Sequence, residues 1–158
     1  MGLYLKGLLY TLLIPGVVIG VIPWGIREAG VGAFEVGAYR WIGLAPMAPG
    51  VLGLLWCVYN FASVGRGTLV PLDAPRRLVI VGLYRFVRNP MYVSNLWTLA
   101  GEGLLLQSWG IWVWGLILAV GWHLFVVLYE EPTLRRRFGQ EYDAYAAHVP
   151  RWVPRWRK

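Results

Sequence analysis

Acidic side chains are scarce in this chain, with eight Asp and Glu among 158 residues, and there are only two histidines and one cysteine. The lone Cys57 excludes an intrachain disulfide and a thiolate metal cluster. No His/Cys/Asp spacing suggests a metal site, and no glycine-rich loop suggests phosphate binding. Internal repeats and low-complexity tracts are missing as well. Charged residues make up 15% of the chain and apolar residues 58%, with a mean hydropathy of +0.52. Soluble globular chains carry roughly 45–50% apolar residues. A domain this small could not bury so much apolar surface in water, so the bilayer is the solvent that the composition implies.

What charge there is, is mostly basic. The formal net charge of +7 could suggest nucleic acid, but its distribution argues otherwise. Arg66, Arg76, Arg77, Arg85 and Arg88 fall in one connector, and Arg135, Arg136, Arg137, Arg151, Arg155, Arg157 and Lys158 fall in the tail. Basic residues confined to segments between and after hydrophobic runs are the positive-inside signature of a membrane protein. No nucleic-acid partner is expected; membrane lipids are.

Four apolar runs approach the ~20 residues that a helix needs to cross a bilayer. They cover about Leu3 to Ile26, Trp41 to Ser63, Met91 to Leu106 and Trp109 to Tyr129. Pro15 and Pro23 should kink or end the first. That run does not read as a cleaved signal peptide, because Lys6 is its sole n-region charge and no small-x-small site closes it. Gln107-Ser108 is almost the whole link between the last two runs, which predicts a tight antiparallel hairpin. Four crossings put the basic connector, the basic tail and both termini on one side. The charge-neutral first loop (Arg27, Glu28, Glu35, Arg40) goes to the other. The expectation is one all-α integral-membrane domain over 1–158. Residues 1–65 would supply two N-terminal transmembrane helices, and 66–158 a connector, a helical hairpin and a tail. Trp97, Trp109, Trp112, Trp114, Trp122, Trp152 and Trp156 suit interfacial belts.

The connector carries Pro71, Asp73 and Pro75 and should be irregular, with Leu78 to Val81 lying on the membrane surface. After Pro132, the spacing of Leu134, Phe138, Tyr142 and Tyr145 predicts a surface helix from Thr133 to Ala147. The following Val149-Pro150-Arg151-Trp152-Val153-Pro154 cannot be helical and should lie extended along the interface.

Several polar residues sit where the apolar runs meet water. Asn89-Pro90 reads as a helix N-cap followed by proline at the first helical position. A helix N-terminus beside Arg88 also suits a carboxylate or phosphate, and Tyr92 can stack or hydrogen-bond from the first turn. Glu130-Glu131 would oppose the macrodipole at a helix C-terminus. A local pair of Glu131 with Arg135 would offset this by roughly 0.2–0.5 kcal/mol, whereas a bound cationic ligand would offset it fully. Glu102, within Gly101-Glu102-Gly103, costs on the order of 3 kcal/mol inside a membrane helix and should face the bundle or a polar cavity. Its flanking glycines allow close packing of a helix or of a ligand. His123, seven residues before Glu130, reads either as a packed histidine or as a substrate-site residue.

Together these residues resemble the integral-membrane methyltransferases of the isoprenylcysteine carboxyl methyltransferase and phospholipid methyltransferase superfamily. The resemblance rests on Gly82-x-Tyr84-Arg85-x-Val87-Arg88-Asn89-Pro90-Met91-Tyr92 and on Glu130-Glu131. It continues in Phe138-Gly139-x-Glu141-Tyr142-x-x-Tyr145 and Val149-Pro150-x-x-x-Pro154. It runs from about Gly65 to Pro154, and the first two helices match only as hydrophobic segments.

The resemblance implies S-adenosylmethionine as cofactor, bound without metal at the cytosolic end of the last helices. It implies cofactor contacts from Arg88, Pro90, Tyr92, Glu130 and Glu131; Asn89, Glu102 and Tyr142 are added as candidate contacts on their own chemistry, and Arg88 and Glu130 are expected to orient the reacting groups. The expected acceptor is lipophilic and enters from the bilayer: an isoprenylcysteine-like carboxylate, a phospholipid amine or a hydrophobic thiol. Asn89 stands where the isoprenylcysteine enzymes usually have histidine. The Gly-x-Gly of the phospholipid enzymes could correspond only to Gly50 or Gly53. The other class of function is a non-enzymatic membrane scaffold or small transporter subunit, in which the acids and arginines are merely interfacial pairs.

Overall fold

The computed structural model describes residues 13–64, 78 and 80–154. The expected start of the first crossing and the connector from Gly65 to Arg77 lie outside the described residues. Within them the chain is all helical, and its single extended contact is an isolated bridge between Ala33 and Ser108. The chain is helical from residue 13 and passes through a π-helical turn at Val17–Val21 into α1 (Ile22–Glu28). A 3-10 turn at Gly37–Gly43 leads into α2 (Leu44–Val64). After the connector come α3 (Pro90–Leu105), α4 (Trp109–Phe125), α5 (Glu131–Phe138) and α6 (Gln140–His148).

Among the described residues, two helical stretches are long and apolar enough to cross a membrane, Gly37–Asn60 over 24 residues and Trp109–Phe138 over 30. Their lipid-facing sides are exposed leucines, isoleucines and tryptophans such as Leu52, Trp56, Leu116, Ile117 and Val120. α3 lies between them. Glycines set its approach to α2, because a Cβ at Gly50 would press on Thr98 and the Ser94 carbonyl, and one at Gly53 on the Ser94 hydroxyl. Gly43 and Gly101 face each other in the same way. Without water to squeeze helices together, such close backbone packing is what holds them. The glycines flanking Glu102 are therefore used against helices, Gly101 against Gly43 and Met47, and Gly103 against Trp112.

The α3–α4 hairpin forms as its sequence predicts. Gln107 takes a positive φ of 55°, and Ser108 donates its N–H to Gly103 and its hydroxyl to the Val31 carbonyl at 2.6 Å. That ties the hairpin turn to the first loop.

Three expectations need correction. The fourth helix does not end at Tyr129 but runs on to Phe138 through a π-helical turn at Val126–Glu130. Pro132 lacks an N–H, and its ring would collide with the carbonyl of Leu128 in a regular helix. The widened turn absorbs this, with Glu131 donating to Val126 instead. Ile22, just before Pro23, donates to Val17 in the same manner. Glu130 and Glu131 are thus mid-helix and do not oppose a helix C-terminus. The surface helix expected from Thr133 to Ala147 is two helices, broken at Gly139 with φ 53° and ψ −127°. Asn89 precedes α3, yet its side chain makes no capping bond.

Candidate active site

Four segments meet at one end of the α3–α4 hairpin: the turn before α3, the π turn, α6 and the residues after it. The last is bound by backbone groups. The Arg88 N–H donates to the Pro150 carbonyl at 2.9 Å, and the Asn89 amide donates to the Arg151 carbonyl at 3.2 Å. So the segment after His148 folds back over the start of α3 rather than only lying along the interface.

This fold-back delivers Arg151 to the buried Glu131. The Arg151 Nε and Nη2 donate to Glu131 Oε1 and Oε2 at 2.7 and 2.9 Å, a two-pronged pair. Arg88 Nη1 approaches the same Oε1 at 3.1 Å and donates to the Tyr142 hydroxyl at 3.3 Å. Glu131 is thus held by two arginines distant in sequence, while Arg135, its expected partner, pairs with Asp143 on the surface. The Glu131 hydrogen bond raises the pKa of Arg151, which is cationic in any case. Burial raises the pKa values of Tyr142, Tyr145 and Tyr84, so all three remain protonated donors. Tyr145 uses its hydroxyl on the Tyr84 carbonyl at 2.7 Å. With Val149 and Leu78, the Tyr142 and Tyr145 rings form the apolar packing beneath the ionic frame.

Beside that frame the Tyr92 hydroxyl donates to Glu130 Oε2 at 3.2 Å. The Tyr92 ring stacks on Trp122 at 5.1 Å and lies 6.3 Å from Trp152. Trp152 in turn donates its indole N–H to His123 Nδ1 at 3.2 Å. Trp122 and Trp152 therefore belong to the site and not simply to an interfacial belt. The aromatic cluster opens on a groove of about 520 Å³ along the outer face of the hairpin, lined by Val93, Leu96, Trp97, Ala119, Trp122, His123 and Trp152 to Pro154.

Of the residues singled out from sequence, Arg88, Asn89, Tyr92, Glu130, Glu131 and Tyr142 converge here, with Pro90 opening the helix beneath them. Glu102 does not: ten residues beyond Tyr92 on the same helix, it sits about 15 Å farther along the axis. Arg151 and Trp152 were not anticipated as site residues. Arg88 and Arg151 against Glu130 and Glu131 give a cluster whose formal charges cancel. Two polar features remain available, the buried Arg88 Nε, which has no acceptor, and the Glu130 carboxylate beside Tyr92.

Residues 38–141, from the loop before α2 to the start of α6, match the phospholipid methyltransferase family. The chain belongs to that family. It falls in the wider superfamily that also holds the isoprenylcysteine enzymes. The match takes in Arg88, Tyr92 and both glutamates, whereas Tyr142, Arg151 and Trp152 lie beyond it. The chain is also similar to the nickel-cobalt-cadmium resistance protein NccN of Alcaligenes xylosoxydans xylosoxydans, 32% identical over 121 residues. That alignment takes in 73% of this chain and 53% of NccN, so the chain spans about half the length of this curated relative.

Proposed function

We propose that this methyltransferase-family chain transfers a methyl group from S-adenosylmethionine to a lipophilic acceptor at the cytosolic face of a membrane. The observation that carries the reading is the pairing, at one end of the hairpin, of a buried arginine Nε without an acceptor and a carboxylate that receives one hydroxyl donor. The cofactor carries a carboxylate, an ammonium, a ribose and a sulfonium, and this donor set fits it. Arg88 would hold the carboxylate and Glu130 the ammonium or ribose. Tyr92, Trp122 and Trp152 would face the sulfonium, a contact worth ~0.5–2 kcal/mol.

When bound, the cofactor supplies an electrophilic methyl group. The chain's own part is placement. Glu131, itself gripped by Arg151, holds the Arg88 guanidinium, Tyr142 accepts from its Nη1, and Asn89 clamps the folded-back segment. Positioning two reactants can by itself lower a barrier by ~7–11 kcal/mol, so little further machinery is required. Arg88 and Glu130 are the residues assigned to orient the reacting groups, and Glu130 would take a proton if the acceptor were an amine or thiol. The acceptor would reach the site from the bilayer. The concentration of arginines in the connector and tail supports the cytosolic orientation.

Purified protein in detergent should be thermally stabilised by S-adenosylhomocysteine, because a ligand that binds only the folded state raises stability by mass action. No shift and no calorimetric binding at millimolar ligand would favour the scaffold reading. Among the described residues, no three His, Cys, Asp or Glu side chains group as metal ligands.

A further inference from the structure

A second cavity, of about 420 Å³, lies at the end of α3 remote from Tyr92. Trp24, Arg27 and Glu28 line it from α1, Arg40 from the 3-10 turn, and Leu105, Leu106 and Gln107 from the end of α3 and the hairpin turn. Thirteen residues separate Tyr92 from Leu105, so the cavity is about 20 Å from the ionic frame along the helix axis. Backbone bonds tie the loop after α1 to the hairpin turn: the Phe34 N–H donates to the Gln107 carbonyl at 3.1 Å and the Trp109 N–H to the Gly32 carbonyl at 3.0 Å. By sequence this loop is charge-neutral, yet its charges do not pair. Among the described residues the ion pairs join Arg88, Arg135 and Arg151 to Glu131 and Asp143. Arg27, Arg40 and Glu28 enter none of them. Arg40 lies over the Trp41 ring at 4.8 Å, and Arg27 and Glu28, adjacent on a helix, do not face each other. Two arginines and one glutamate thus line one cavity, with a formal charge of +1.

We propose that this cavity binds the headgroup of an anionic phospholipid, a phosphodiester that carries hydroxyls and no ammonium. Arg27 and Arg40 would hold the phosphodiester, because a guanidinium presents paired N–H donors that match phosphate oxygens. The single negative charge of the diester cancels the +1 of the cavity. A headgroup with an ammonium is neutral overall and leaves that charge uncompensated. A phosphate monoester carries about −1.5 to −2 and sets the excess against Glu28. With the phosphodiester on the arginines, the Glu28 carboxylate and the Gln107 amide oxygen are acceptors for headgroup hydroxyls. The acyl chains have a surface to lie on, since α1 and the 3-10 turn carry the exposed Val21, Trp24, Trp41 and Ile42 beside the cavity. Tryptophan also favours the level of the headgroups. A lipid seated here touches α1, the 3-10 turn and α3 together, and so clamps the first helix to the hairpin. The site is separate from methyl transfer and involves neither cofactor nor acceptor.

The probe is dioleoylphosphatidylglycerol, titrated into the protein in nonionic detergent beside phosphatidylcholine and phosphatidylethanolamine with the same chains. Native mass spectrometry counts the lipid retained, and thermal unfolding reads its effect. Phosphatidylglycerol should be retained most tightly and should raise the unfolding midpoint by mass action, the two zwitterionic lipids less. Arginines of the connector and tail also attract anionic lipid, so variants locate the site. Arg27→Gln and Arg40→Gln should each weaken retention about tenfold, the worth of a hydrogen bond to a charged group. Arg136→Gln, which removes one charge at the opposite end, should leave retention unchanged. Arg27 has no ion-pair partner among the described residues to lose, so Arg27→Gln should not move the lipid-free midpoint. A fall in that midpoint would make Arg27 a structural residue and overturn the proposal. So would equal retention of the three lipids, or a loss on Arg136→Gln as large as that on Arg27→Gln. Glycerophosphate and inorganic phosphate distinguish the source of the phosphate and should stabilise far less than the lipid. Either one protecting as well as phosphatidylglycerol would identify a soluble-anion site and overturn the lipid assignment.

Discussion

Removing the Glu131 carboxylate would leave the Arg88 and Arg151 guanidiniums crowded around a neutral side chain. The Glu131 side chain keeps 7% of its exposure and that of Arg88 12%, so water could screen little of the repulsion. Breaking one partner out of a buried ionic arrangement typically costs about 3–5 kcal/mol. Glu131→Gln should therefore lower the unfolding midpoint in detergent strongly. Arg135→Gln breaks a pair whose side chains are 54% and 62% exposed, and should cost about 0–1 kcal/mol. Equal losses would mean that Glu131 is not the centre of the frame. Glu130 lies next in sequence yet makes a different prediction. Glutamine there can still accept the Tyr92 hydroxyl, so Glu130→Gln should leave the fold intact. It should weaken S-adenosylhomocysteine binding by about tenfold or more, since it removes a charged partner. Arg136, exposed and bonded among the described residues to Thr133, is the control, and Arg136→Gln should leave binding unchanged. Unfolding by Glu130→Gln alone would make Glu130 a structural anchor and withdraw its assigned role.

Gly139 governs how α5 and α6 meet. Its φ of 53° with ψ of −127° belongs to a region that residues with a Cβ almost never occupy, and a Cβ built there would touch nothing within 4 Å. The cost of Gly139→Ala is accordingly pure backbone strain, about 1–3 kcal/mol. It should appear in the unfolding midpoint, and S-adenosylhomocysteine binding should weaken with it because Tyr142 lies on α6. An unchanged midpoint would mean that the break is not obligatory. The break was not legible in the apolar spacing, which continues through it: Leu134, Phe138, Tyr142 and Tyr145 fit one helix as well as two. By contrast the α3–α4 hairpin was legible, because Asn89-Pro90 and Gln107-Ser108 bound two unbroken apolar runs. The partners of Glu131 were not. Arg151 was one of seven cations in the tail, and the contacts that bring it back are accepted by the carbonyls of Pro150 and Arg151. Carbonyls occur at every residue, so no side-chain pattern announces the fold-back. Pro132 misled for a related reason: sequence marks a helix stop there, whereas the π turn before it lets the helix continue.

At the scale of the whole molecule, the site's use depends on which side of the membrane it faces. The two stretches long enough to cross, Gly37–Asn60 and Trp109–Phe138, are joined by the basic connector and by α3. With 16 residues α3 spans about 24 Å, short of the ~30 Å hydrocarbon core. Its first turn sits at the ionic frame and its last at the loop near Val31, so its ends approach opposite interfaces. The proposed four-crossing arrangement then sets the connector and the tail on one side, the cytosolic one, since the arginines concentrate in both. Cysteine labelling can test this with little background, because Cys57 is the chain's one cysteine and is fully buried. Cysteines introduced at Asp73 and at Arg155 should react with a membrane-impermeant maleimide only after the cytosolic side is opened. One introduced at Glu35 should react before it. If Asp73 and Arg155 label from opposite sides, α3 and α4 do not form a pair of crossings. The ionic frame would then have to lie away from the interface at which the connector emerges, and the proposed path of a lipid-borne acceptor to Tyr92 would be lost.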